Sequence, residues 1–126
     1  MSGIPLHERT CKACEGGVDP VGENELASWR RDVPQWQLAE DGKSIYRKWN
    51  TGDFVKAISA MREIAELAEA DAHHPDLHLT GYRHLKVVLT THAIGGLSEN
   101  DFILAAKIDR RLDQAPADDS DIVGPA

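Results

Sequence analysis

The spacing of hydrophobic and polar positions changes several times along the chain, and each change marks an element. Leu26 and Trp29 share one side of a short helix over 23–31, with Val33 beyond them; Asn24 can cap its start and Pro34 ends it. Trp36 to Ala39 reads as a short strand, and Asp41-Gly42 is a hairpin turn signal. The strand over 44–50 then alternates Ile45, Arg47 and Trp49 against Tyr46 and Lys48. A Thr51 or Asp53 cap starts a long helix. Phe54, Ile58, Met61, Ala65 and Ala68 recur there at spacings of four and three, which makes them its expected apolar face, and the helix stops before Pro75. Two more strands follow, 76–82 and 84–91, the second with Leu85, Val87 and Leu89 on one side. Residues 94–97 form a turn. Ser98 caps a last helix in the S-x-x-D pattern that ends at Asp101, and Phe102, Ala105, Ile108 and Leu112 form its stripe. The order α-β-β-α-β-β-α predicts an α+β fold, an antiparallel four-stranded sheet with helices on one face.

At 126 residues the chain has the length of one domain. An apolar fraction of 41% is too high for a disordered chain. The net charge of −7 argues against non-specific binding to nucleic acid or an anionic membrane, and no apolar run is long enough to span a bilayer. The first residues lack the apolar stretch of a secretory signal, so a cytoplasmic protein is expected. The charge is uneven. Residues 113–126 hold Asp113, Asp118, Asp119 and Asp121 with no base, so an acidic disordered tail is expected there. Residues 1–22 are expected to be a flexible arm and 23–112 the folded domain. A core drawn from about 90 residues is modest, so self-association is a reasonable expectation.

The two cysteines, Cys11 and Cys14, form a single CxxC in the arm. His7 completes a set of three candidate ligands, one short of a structural zinc site. The loop-like sequence after Cys14 does not suit a thioredoxin-type motif. The expectation is therefore reduced thiols, with no metal and no cofactor.

Five of the six histidines fall within residues 73–92. Imidazoles titrate near neutrality, so a dense local set is the main chemical signal in the chain. His73 and His74 precede Pro75 directly after the long helix, and proline disfavours helix at His74, so the pair sits on a sharp exit. His92 ends the strand 84–91. Each residue also has a plainer reading: the doublet as a solvated helix end, His92 as a strand-end surface residue, Glu69 as a solvated helix residue, and Asp101 as an acid favoured by the helix dipole.

The ordered set Glu69, His73-His74-Pro75, Tyr82, His92 and Asp101, with its spacings, resembles the pterin-4a-carbinolamine dehydratases (4a-hydroxytetrahydrobiopterin dehydratases). The resemblance covers about residues 23–112, includes the element order, and is nearest to a divergent plant and bacterial branch. Six residues separate Pro75 from Tyr82, where many members have five. The resemblance implies a reaction. Water is removed from a 4a-hydroxytetrahydropterin to give the quinonoid dihydropterin, which supports tetrahydropterin recycling. It implies His73 and His92 as the acid/base pair, with His74, Glu69 and Asp101 binding the pterin or orienting a histidine. It implies no cofactor and no metal, and a homo-oligomer, dimer or tetramer, formed through sheet edges and helix packing. Members also act as binding proteins, including a dimerisation cofactor and assembly chaperones. A non-catalytic protein partner is therefore the alternative to the enzyme. A zinc hydrolase built on His73, His74 and His92 is weaker, because adjacent side chains point in different directions.

Overall fold

The computed structural model describes residues 5–9 and 23–113. Within them the order is α1 (Glu23–Asp32), β1 (Gln37–Leu38), β2 (Ile45–Asn50), α2 (Phe54–Asp71), β3 (Asp76–Thr80), β4 (His84–Leu89) and α3 (Glu99–Asp113). Two 3-10 turns, Leu6–Glu8 and His92–Ile94, complete it. The sheet is antiparallel in the order β1-β2-β4-β3, so the two long strands lie in the middle. This is the expected α+β architecture. The strands are shorter than expected at their ends. Trp36 leaves the first strand for the core, and the second hairpin turns at Gly81 and Tyr82, both with left-handed backbone.

Alternation decides which face is covered. Ile45, Arg47 and Trp49 of β2 and Leu85, Val87 and Leu89 of β4 are buried against the helices. The opposite face of the sheet carries Tyr46, Lys48, Lys86 and His78, which line shallow depressions open to water. Phe102, Ile103, Leu104, Ala105, Ile108 and Leu112 of α3 fill the middle of the core. Arg47 is drawn inward with them and donates to Asp109 at 2.5 Å and to Asp113 at 2.9 Å, tying β2 to the end of α3. Its guanidinium lies 4.5 Å from the Trp49 ring centroid. In the segment 5–9, Leu6 is buried in the same core and Arg9 pairs with Glu99. Asp113, expected at the start of the tail, is instead the last residue of α3, while Cys11, Cys14 and residues 114–126 lie outside the described residues.

Helix α2 keeps Met61 and Ala68 of the expected stripe against the core and turns the rest of it outward. Its inner face is Ala57, Ala60, Ile64 and Ala68, whereas Phe54 (53% exposed), Ile58 (46%) and Ala65 of the expected stripe look outward, beside Val55. The physical reason is spacing. Methyl-sized side chains let the helix sit close to its neighbours, and this chain puts its alanines there. Of the two expected caps, Asp53 takes the role, accepting the Lys56 amide at 2.8 Å. Thr51 instead bonds the Arg83 carbonyl at 2.9 Å and ties β2 to the second hairpin.

Candidate active site

The site is assembled where α2, β4 and α3 end or begin together. Helix α2 closes with Ala72 in the left-handed conformation, its amide on the Ala68 and Glu69 carbonyls. The His73 amide bonds the Ala68 carbonyl at 3.1 Å. This paired closure fixes the backbone direction at which His73 leaves the helix. Pro75 then leads into β3.

Helix α3 begins with the expected capping box. The Ser98 amide donates to Asp101 Oδ2 at 3.0 Å, and Ser98 Oγ accepts from the Asn100 amide at 3.2 Å. Asp101 has no exposed surface, yet it does more than cap. Its Oδ1 lies 2.7 Å from His73 Nε2, and its Oδ2 accepts the Thr91 hydroxyl at 2.8 Å. Oδ2 already takes an O–H and an N–H, so the carboxylate meets His73 as an acceptor. Nε2 is therefore the ring nitrogen that donates to Asp101.

His92 heads the 3-10 turn immediately after Thr91. The turn is closed by two backbone bonds between Thr91 and Gly96, of 2.9 and 3.4 Å, and is exposed at His92 itself. The backbone carrying His92 is thus anchored one residue from the hydroxyl that reaches Asp101. His74 turns the other way. Its Nε2 lies 2.6 Å from Glu69 Oε2, and both side chains are largely exposed. Glu69 therefore contacts His74, not His73, and the pair stands outside the part-buried His73–Asp101 contact.

The structure brings His73 and Asp101 into direct contact and His74 and Glu69 into a second contact. Tyr82 lies apart from them, in the turn between β3 and β4, at the opposite end of that hairpin from His73 and Thr91. His78 and His84 face the open side of the sheet. Among the described residues no three His, Cys, Asp or Glu side chains converge on a metal-binding position. Sequence reasoning missed Thr91. Its signal was slight: a hydroxyl at an otherwise apolar inward position, one residue before His92.

The model of the pterin 4 alpha carbinolamine dehydratase family matches residues 19–111. The chain belongs to that family. It is 44% identical over 106 residues to a protein of Halorhodospira halophila provisionally named a pterin-4-alpha-carbinolamine dehydratase, covering 84% of this chain and 96% of that one. It is 40% identical over 106 residues to pterin-4-alpha-carbinolamine dehydratase 2, mitochondrial, of Arabidopsis thaliana, covering 82% of this chain and 57% of that one. A crystal structure titled as a transcriptional coactivator/pterin dehydratase from Brucella melitensis is similar with a TM-score of 0.67 at 30% identity. That match covers 72% of this chain and 96% of that one. The chain is thus an enzyme of a dehydratase family, a carbon–oxygen lyase by class. Among the described residues no helix is long and apolar enough to cross a membrane.

Proposed function

We propose that this chain dehydrates a 4a-hydroxytetrahydropterin to the quinonoid dihydropterin and so supports tetrahydropterin recycling. The reaction transfers one proton to the leaving 4a-hydroxyl, which departs as water, and removes one from a ring nitrogen. No electrons change hands. A pair of imidazoles at one site suits this, because an imidazole can give or take a proton near neutral pH. His73 and His92 take the acid/base roles. His74 and Glu69 hold the polar edge of the pterin. Asp101 orients His73 from beneath rather than meeting the substrate. The observation that carries this reading is the buried carboxylate 2.7 Å from His73 Nε2, the arrangement by which enzymes fix one tautomer of a working histidine.

The test is stopped-flow ultraviolet detection of 4a-hydroxytetrahydropterin loss with the wild type, His73→Ala and His92→Ala. The expected result is a wild-type rate well above the spontaneous one, lost in both variants while circular dichroism stays native. A wild type no faster than buffer would overturn the reading.

A second reading, a binding or dimerisation-cofactor role on the same fold, is favoured by one observation. Phe54, Val55 and Ile58 are exposed and lie within five residues of one another on α2, and grouped exposed apolar side chains mark contact surfaces. The full proposal therefore includes a homo-oligomer, dimer or tetramer, with this group as the contact surface for a second copy or a protein partner. It keeps the dehydratase-like domain at 23–112, between an arm (1–22) and a tail (113–126), and assigns the protein to the cytoplasm. Fractionation of the source cells and size-exclusion chromatography with light scattering test the compartment and the assembly.

A further inference from the structure

We infer that Thr91 is a positioning residue that holds both histidines of the proposed reaction at one junction. Its catalytic half rests on the reading above. Thr91 is 3% exposed and sits between the end of β4 and the turn that carries His92. It makes two kinds of contact. Through its main chain it closes that turn, exchanging bonds of 2.9 and 3.4 Å with Gly96, so the backbone of His92 leaves from a fixed point. Through its side chain it reaches Asp101 Oδ2 at 2.8 Å and Ser98 Oγ at 2.8 Å.

The hydroxyl matters because Asp101 has two duties. Oδ2 caps α3 through the Ser98 amide at 3.0 Å, and Oδ1 meets His73 at 2.7 Å. A carboxylate held on Oδ2 by the Ser98 amide alone can still pivot about its terminal torsion, which is broad and roughly two-fold, and so shift the oxygen that faces His73. The Thr91 hydroxyl supplies a second donor on Oδ2 and holds the plane in which Oδ1 faces His73. The Nε2–H tautomer of His73 therefore depends on a side chain that never meets the imidazole. Main chain and hydroxyl together set where the two histidines stand relative to each other.

Thr91→Val keeps the shape and removes the donor, whereas Thr91→Ser keeps the donor and removes the methyl. The decisive readout is the tautomer of His73, read from the nitrogen-15 shifts of its imidazole and assigned with His73→Ala. Wild type and Thr91→Ser are expected to show the Nε2–H form, and Thr91→Val a mixture. In the dehydration assay Thr91→Val is expected to lower kcat about tenfold with KM little changed, and Thr91→Ser to restore it. Ile108→Val, a buried change about two turns further along α3, is expected to lower the melting temperature without moving the tautomer. A Thr91→Val protein with the wild-type tautomer, or a Thr91→Ser protein as impaired as Thr91→Val, overturns the inference. A reading on the wild type needs no variant to fold. The Thr91 hydroxyl proton should exchange slowly with water and show a cross-peak to the Asp101 side chain, and rapid exchange overturns the inference. A wild type without dehydratase activity removes the functional reading alone, and the tautomer comparison still decides the positioning role.

Discussion

Asp101 Oδ1 lies 2.7 Å from His73 Nε2 while Oδ2 of the same carboxylate accepts the Ser98 amide that starts α3. One side chain thus serves a helix terminus and an imidazole, and removing its charge should register in both. Asp101→Asn is expected to lower kcat by about 10²-fold, the scale set by loss of alignment. It should also cost about 1 kcal/mol of stability through the weakened cap. Parallel kinetics and urea denaturation check this, and a stability loss with unchanged kcat would separate His73 from the reaction.

The exposed pair should behave differently. Glu69 and His74 are in contact at 2.6 Å but largely exposed, and exposed pairs contribute little. Glu69→Gln is expected to change stability by about 0.5 kcal/mol or less. Its effect should appear in KM, if the pair holds the polar edge of the pterin. A large drop in melting temperature would contradict the exposed geometry.

Ala72 closes α2 with φ at 53°, a conformation that costs a residue with a Cβ about 1 kcal/mol and costs glycine almost nothing. Ala72→Gly is therefore expected to stabilise the protein, by up to about 1 kcal/mol, and to leave the His73 amide on the Ala68 carbonyl. Denaturant midpoints measure the gain. A net loss would mean that the added freedom of the unfolded chain outweighs the relieved strain.

Asp109 supplies a pH dependence of unusual sign. Burial raises its carboxyl above the ordinary 3.8, against the lowering effects of the Trp36 hydrogen bond and of Arg47. The folded state then holds the proton more tightly than the unfolded one. Stability from this group is present below 3.8 and falls as pH climbs from there through the raised value. Most carboxylates that are paired in the native state do the reverse. The measurable consequence is that the wild type loses stability relative to Asp109→Asn as pH rises through the acid range. A widening advantage for the wild type would reverse the assigned direction.

The fold was legible because its signals are local. Alternation in β2 and β4, the Asp41-Gly42 turn and the Ser98-to-Asp101 cap each name an element without help from the others. The expected stripe of α2 holds at Met61 and Ala68 and fails at Phe54, Ile58 and Ala65, because the first turns are apolar on both sides: period finds a stripe, and only packing tells whether alanine or phenylalanine goes inside. The histidine doublet was legible from its density and from Pro75. Asp101 was legible as a cap and as an orienting acid, but the choice of His73 over His74 as its partner depends on how α2 ends. Thr91 was not legible, since a strand-end threonine has no local mark that says its hydroxyl meets a carboxylate ten positions away.

The arrangement of α2 also bears on how such a chain can change over generations. Its inner side chains are mostly methyls, so an enlargement at Ala57, Ala60 or Ala68 must push the whole rod outward and carry His73 off Asp101. Substitutions at Phe54, Val55 or Ile58 meet only what lies outside. Inheritance can therefore rewrite the company this helix keeps, one outer side chain at a time, while the contact of His73 with Asp101 at its far end stays under separate selection.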